Sequence, residues 1–192
     1  MRKIVIYPAE ILRQKTTDIK NVDKKLLLEV EDLKKILQGG DNAAGLAAPQ
    51  IGLIKRFFGS KELGKGETNI FINPKIEKVY GEKVYPKIVT EPADAKAMAG
   101  EEDFLEGCLS FPGFFGTVKR FLKIDVSWDE IEKGKLVRKN KSLGGFEAIV
   151  WQHESDHLDG VVFIDHIKEE GGKFFKDVNG KMEKWNLVET FK

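Results

Sequence analysis

The stretch Trp151-Gln152-His153-Glu154-Ser155-Asp156-His157-Leu158-Asp159-Gly160 constrains this chain more than any other. It contains His-Glu-x-x-His. Folded as a helix, it puts His153 and His157 one turn apart on the same face. Two imidazoles so placed can share one metal ion, with Glu154 beside them as a proton carrier. The chain has only 3 histidines, and two of them are here. Phe146, Ala148, Ile149 and Val150 run into the motif, and Asp159-Gly160 is a good helix stop. The plainer alternative is a buried amphipathic helix with two hydrogen-bonded histidines, and five residues alone do not decide between them.

Composition narrows the class. The 192 residues suffice for one domain, 1–192, with a proper core. Lys+Arg is 32 against Asp+Glu 31, so net charge argues for neither nucleic acid nor an anionic membrane as partner. No apolar run is long enough to span a bilayer. Ile4-Val5-Ile6 is too short for a signal-peptide core, so no targeting segment is expected. The single cysteine, Cys108, has no partner for an internal disulfide. That fits a reducing compartment and makes it either a small buried hydrophobe or a functional thiolate.

Along the chain, Lys3 to Tyr7 reads as a short strand stopped by Pro8. Asp23 to Gln38 reads as a helix: Leu26, Leu27, Val30, Leu33 and Leu37 recur at three- and four-residue steps, with a solvated charged face opposite. Asn21 or Asp23 caps it and Gly39-Gly40 ends it. Asp41 to Gly52 is dense in small residues, allowing close backbone approach to another element or a ligand, and Pro49 argues against a continuous helix. Arg56 to Phe58 and Asn69 to Ile72 read as strands around a turn at Lys61 to Thr68, with Pro74 closing the second. Lys75 to Val89 reads as a hairpin turning at Tyr80-Gly81-Glu82. Thr90 to Asp103 reads as a surface loop with a helical turn at Ala93 to Ala99. Thr117-Val118, Leu122 to Trp128 and Leu136 to Arg138 read as strands, the last two joined by a turn at Glu132 to Lys135. Val161 to Ile164 reads as a strand. Lys173 to Trp185 reads as a hairpin, with Asn179-Gly180 between two alternating runs.

Two histidines do not complete a catalytic metal site, which usually has three protein ligands and an open position. Downstream, His166, Glu169 and Glu170 are candidates for the third. Upstream, the rival is Cys108, which follows Gly107 and precedes the apolar Leu109-Ser110-Phe111-Pro112 segment.

Three stretches together resemble the signature motifs of peptide deformylases, in the family's order. They are Gly45-Leu46-Ala47-Ala48-Pro49-Gln50-Ile51-Gly52, Glu106-Gly107-Cys108-Leu109-Ser110 and Gln152 to Gly160. Tyr7-Pro8 with Leu12-Arg13, Ile72-Asn73-Pro74, and Gly116-x-Val118-x-Arg120 are similar too, so the resemblance spans Ile4 to Asp165. It implies an α+β fold with antiparallel strands packed around a central helix bearing the motif, plus an N-terminal amphipathic helix. It implies that Cys108, His153 and His157 bind one divalent metal, Fe²⁺ in the cell, with Zn²⁺, Ni²⁺ or Co²⁺ as isolated. Glu154 matches the catalytic acid/base. Gln50, through its side chain, and Leu109, through its backbone N–H, match the groups that hold the formyl oxygen. Gly45 matches the backbone lining the substrate cleft, and Phe146, Ile149 and Val150 match the pocket for the methionine side chain. The implied reaction removes the formyl group from formyl-methionyl nascent peptides and releases formate. The implied setting is cytoplasmic, with transient contact with the ribosome.

The chain departs from the family in three places. Ala43 stands where glycine is usual, which bears on the cleft more than on the chemistry. The segment between Pro74 and Glu106 is longer than in most relatives. The C-terminus predicts a hairpin and short tail rather than a long amphipathic helix, so no ribosome-docking role for such a helix is carried over. Two rival readings are a zinc endopeptidase with the same helix motif and a metal-stabilised binding protein without activity. Intact Glu154, Gln50 and Cys108 argue against the second.

Overall fold

The computed structural model describes residues 2–40, 43–61, 67–88 and 102–191. The predicted helical turn at Ala93 to Ala99, most of the Lys61 to Thr68 turn, and Asp41-Asn42 lie outside the described residues.

Helix α1 (Lys24–Gln38) starts where the Asp23 carboxylate accepts the Leu26 N–H at 2.7 Å. It buries Leu26, Val30, Leu33 and Leu37. Leu27, expected on the same face, is exposed instead. Glu29 takes a buried place there and pairs with Lys55. Strands β1 (Gly45–Ala47), β2 (Phe57–Lys61), β3 (Thr68–Tyr80), β6 (Lys123–Glu132) and β7 (Lys135–Gly144) form one antiparallel sheet in the order β1-β2-β3-β6-β7. Successive strand residues face opposite ways. Phe57 accordingly packs with α1 on one side, while Phe58 packs with Trp128 and Trp151 on the other.

That second face receives helix α2 (Gly145–Leu158), the expected His-Glu-x-x-His helix. Glu147 is its one exposed residue. A helix covered on nearly every side belongs to the middle of a domain. Gly144 and Gly145 lead into it, Gly145 at φ +55°, and Gly160 at φ +75° follows its end. A Cβ at Gly160 would lie 2.5 Å from the Arg13 carbonyl oxygen. Gln152 fixes the helix to the entry of β6, donating to the Phe121 carbonyl at 2.8 Å and accepting its N–H at 3.1 Å.

A second antiparallel sheet runs β4 (Glu106–Gly107), β5 (Phe114–Gly116), β8 (Phe174–Val178) and β9 (Lys181–Lys184), with α3 (Phe163–Glu170) and the one-turn α4 (Leu187–Thr190) packed against it. The predicted α+β arrangement of antiparallel strands around the motif helix is therefore the observed one. The predicted β6–β7 turn at Lys133-Gly134 and the Asn179-Gly180 hairpin are also observed.

Four local expectations are corrected. Residues 3–7 form no strand; the Val5 and Tyr7 N–H groups donate instead to the Gln50 and Ser110 carbonyls. Pro74 does not end β3. The strand shifts register between Ile72 and Lys75, where Asn73 adopts φ +47° and its side chain bonds both Ile19 and Asp129, so proline sits at a bulge. Gly81 does turn the chain, but no hairpin follows, because β3 itself runs to Tyr80 and Val84 pairs with Arg120. The apolar run Val161 to Ile164 enters helix α3, with Asp165 Oδ2 accepting the Val162 N–H at 3.0 Å. No described helix is long and apolar enough to cross a membrane.

Candidate active site

Three segments far apart in sequence meet against α2. From α2 come His153 and His157, with ring centroids 5.0 Å apart. From the turn after β4 comes Cys108, whose Sγ lies 3.2 Å from His157 Nε2. The sulfur and one nitrogen of each histidine all lie within 4.8 Å of one another. The downstream candidates are engaged elsewhere: His166 bonds Asp156 at 2.9 Å, Glu170 pairs with Lys83, and Glu169 is exposed.

The surroundings orient these groups. His153 Nδ1 meets Glu106 Oε2 at 2.9 Å, which leaves Nε2 for the side facing Cys108. Glu106 is gripped by Arg120 through two bonds of 2.7 and 2.9 Å. The same guanidinium reaches Asp156 at 2.6 Å, and Asp156 in turn holds His166. Burial pushes the Glu106 carboxyl up, but the Arg120 charge and its hydrogen bonds outweigh burial and leave it at about 2. It is an anion at every ordinary pH. Burial likewise opposes a proton on His153, but Cys108 and Glu106 together raise its pKa well above normal. For His157 burial dominates, helped by the neighbouring His153, and its pKa falls to about 3. It is thus a neutral imidazole, the form that binds metals.

Glu154 is buried, and its Oε2 finds no hydrogen-bond partner among the described residues. Burial raises its pKa to about 7. Gly45 makes room for it. A Cβ there would sit 2.3 Å from Glu154 Oε1 and 2.7 Å from its Cδ. Gln50 is also buried: its Oε1 accepts the Ala47 N–H at 2.8 Å, which aims Nε2 at Cys108 Sγ (3.4 Å) and Ser110 Oγ (3.3 Å). The Leu109 N–H donates to no described residue. Gly107 is needed beside the cysteine because a Cβ would lie 2.8 Å from the Phe115 ring.

These groups open onto a cavity of about 530 Å³. Gly45, Gln50, Cys108, Leu109, His153 and Glu154 line it, and so do Phe146, Ile149 and Val150. Every sequence-predicted site residue but His157 therefore lines this cavity, and buried His157 joins the group through its contact with Cys108. Ala43 also lines the cavity and packs in the core with residues of α1.

The model of the polypeptide deformylase family matches residues 1–173. The chain belongs to the polypeptide deformylase family. Family members are metal-dependent hydrolases that remove the N-formyl group from nascent polypeptides, and this chain is an enzyme of that type. It is 34% identical over 185 residues to peptide deformylase of Rhodopirellula baltica, covering 95% of this chain and 79% of that one. It is 33% identical to peptide deformylase 2 of Clostridium acetobutylicum, covering 88% and 97%. A crystal structure of peptide deformylase from Plasmodium falciparum superposes with a TM-score of 0.70 at 31% identity, covering 88% of this chain and 90% of that one.

Some functional residues of this deformylase were not assigned roles from sequence. Glu106 and Arg120 were visible only as letters in recurring motifs, and Asp156 as a filler inside the helix motif. The missed signal was charge balance. A glutamate two residues before a candidate ligand and an arginine between Lys119 and Phe121 both need partners if buried.

Proposed function

We propose that Cys108, His153 and His157 hold one divalent ion, and that this centre hydrolyses the formyl amide of a formyl-methionyl peptide lying in the cavity. The chain acts as one catalytic domain. The observation that carries the reading is the 4.8 Å cluster of a thiol and two imidazoles beside a partnerless buried carboxylate. The donor set fits an ion. One histidine is neutral, the other is oriented by Glu106, and thiolate with imidazole suits Fe²⁺, Zn²⁺, Co²⁺ or Ni²⁺. Fe²⁺ is the proposed ion in the cell. The acidic neighbours that favour a proton on His153 favour a cation equally.

A divalent ion held there supplies Lewis acidity and lowers the pKa of bound water toward ~7. Glu154, with a pKa of about 7, accepts a proton from water at neutral pH and returns it to the departing amine. Gln50 Nε2 and the Leu109 N–H donate to the formyl oxygen as charge builds on it; one such fixed donor is worth about 10²–10³ in rate. Phe146, Ile149 and Val150 receive the methionine side chain. The β1 edge, beside Gly45, offers backbone groups to which an extended peptide adds as a strand. Nascent chains as substrate bring transient proximity to the ribosome. A thiolate ligand requires a reducing compartment, so the cytoplasm is the proposed location.

The test is formate release from a formyl-Met tripeptide by protein loaded anaerobically with iron, nickel or cobalt. Glu154→Gln should keep its metal and lose most turnover. No formate with any of the three ions refutes the reading.

A further inference from the structure

The family match stops at residue 173, yet the chain beyond it returns to the site. Trp185 N–H donates to the Phe174 carbonyl at 2.8 Å, Asn186 caps α4, and Leu187 is buried among the same side chains. The path so fixed carries Phe191 into an aromatic cluster. Its ring lies 5.3 Å from Tyr7, 5.5 Å from Phe111, 5.2 Å from Phe114 and 6.0 Å from Phe174. Tyr7 stacks on the other contact of the cluster, Phe111, at 4.7 Å, and Phe174 stacks on Phe114 at 5.5 Å.

Phe111 and Phe114 lie on the loop that carries one of the reaction's two proposed donors, the Leu109 N–H, and both line the cavity. Phe111 N–H closes a turn onto the Cys108 carbonyl at 2.9 Å, with Leu109 and Ser110 between. Phe114 N–H closes the next turn onto the Phe111 carbonyl at 3.1 Å, and Tyr7 N–H ties down the Ser110 carbonyl at 2.9 Å. The orientation of the Leu109 N–H thus depends on where Phe111 sits, and Phe191 packs directly on Phe111.

We propose that Phe191 is a positioning residue: its ring braces the turn Cys108 to Phe114 and so holds the Leu109 N–H in reactive geometry. The inference rests on the donor role proposed for Leu109. Misplacement of a reacting group by 1 Å can cost ~10² in rate, and a loosened loop samples the right position part of the time, so a loss of about tenfold is expected.

The test uses the full-length, metal-loaded protein. Phe191→Ala should lower kcat about tenfold with KM nearly unchanged, and should speed hydrogen exchange at the Phe111 and Phe114 amides. Phe191→Trp should restore both. Val188→Ser, in the same tail but 67% exposed, should leave both as in the wild type. Lower thermal stability with kcat and exchange unchanged would make Phe191 merely structural and overturn the proposal, as would faster exchange with unchanged kcat. If the wild type releases no formate, the functional reading fails, and unchanged exchange in Phe191→Ala would separately refute the brace.

Discussion

Gly45→Ala isolates the placement of Glu154 from its chemistry. The added methyl would lie 2.3 Å from Oε1, 2.7 Å from Cδ and 2.8 Å from Cγ. Against 3.4 Å for ordinary contact, it is short by about 1 Å for Oε1 and by roughly 0.6–0.7 Å for the two carbons. The Gly45 backbone is not left-handed, so alanine meets no dihedral penalty there. The whole cost falls on the carboxylate, which must leave its place. A displacement of that size is worth about 10² in rate, or ~2.7 kcal/mol of transition-state stabilisation. Steady-state kinetics should show kcat/KM down about 100-fold. Metal content should match the wild type, because neither histidine is touched. A shorter acid should return some room: in the double variant Gly45→Ala, Glu154→Asp the two losses should fall well short of additive. Wild-type kcat in Gly45→Ala, or strict additivity in the double variant, would show that Gly45 does not set the position of Glu154.

Arg120→Met should cost about 3–5 kcal/mol, because it leaves the buried Glu106 carboxylate, and the half-buried Asp156, without their shared cation. Wild-type Glu106 titrates at about 2 against 4.5 in an unfolded chain, so its stabilising effect is complete above 4.5 and fades as pH falls toward 2. The stability deficit of the variant, read by urea melts, should shrink over that window; a pH-independent deficit would assign it to packing. In a pH–rate profile, Glu154 must lose its proton to act as a base, so kcat/KM should rise with pH. Burial, with the Glu106 and Asp156 charges, raises its pKa to about 7 against the opposing charges of His153 and Arg120, and a cation at the site lowers it, so the acidic limb should lie below 7; a limb above 8 contradicts the assignment. Peroxide oxidation of Cys108 should release the metal, measured by elemental analysis, since only the thiolate ligates. Retention of metal after complete oxidation would remove Cys108 from the ligand set.

Helices α1 and α2 and the Asn179-Gly180 hairpin could be read from the chain because their signals are local: a cap, a stop, a two-residue turn. The grouping of Cys108 with the two histidines was legible for a different reason, the resemblance of three separate stretches to the motifs of one family; the residues alone left His166, Glu169 and Glu170 as rivals for the third place. What stayed hidden depends on distant partners. One exception is local: Val161 to Ile164 is apolar enough for a strand or a buried helix, and the adjacent Asp165 accepts the Val162 N–H at the start of the helix. Pro74 should stop a strand, and does not because Asn73 takes up the bulge with bonds to Ile19 and Asp129. The roles of Glu106, Arg120 and Asp156 are invisible one at a time, since each is defined by the others. Phe191 carries no local signal, because its place is set by the tail's packing on Tyr7, Phe111 and Phe114.

Gln50 meets Cys108 across 58 positions of sequence, and Cys108 meets His157 across 49. No pair of these groups can approach until most of the chain exists, so the site is assembled only by long-range closure, the slow kind of folding. A copy still emerging from synthesis has Gln50 and Cys108 but no helix to receive them. Each new molecule therefore depends on finished ones for any deformylation of its own N-terminus during synthesis, and the activity passes from completed chains to growing ones.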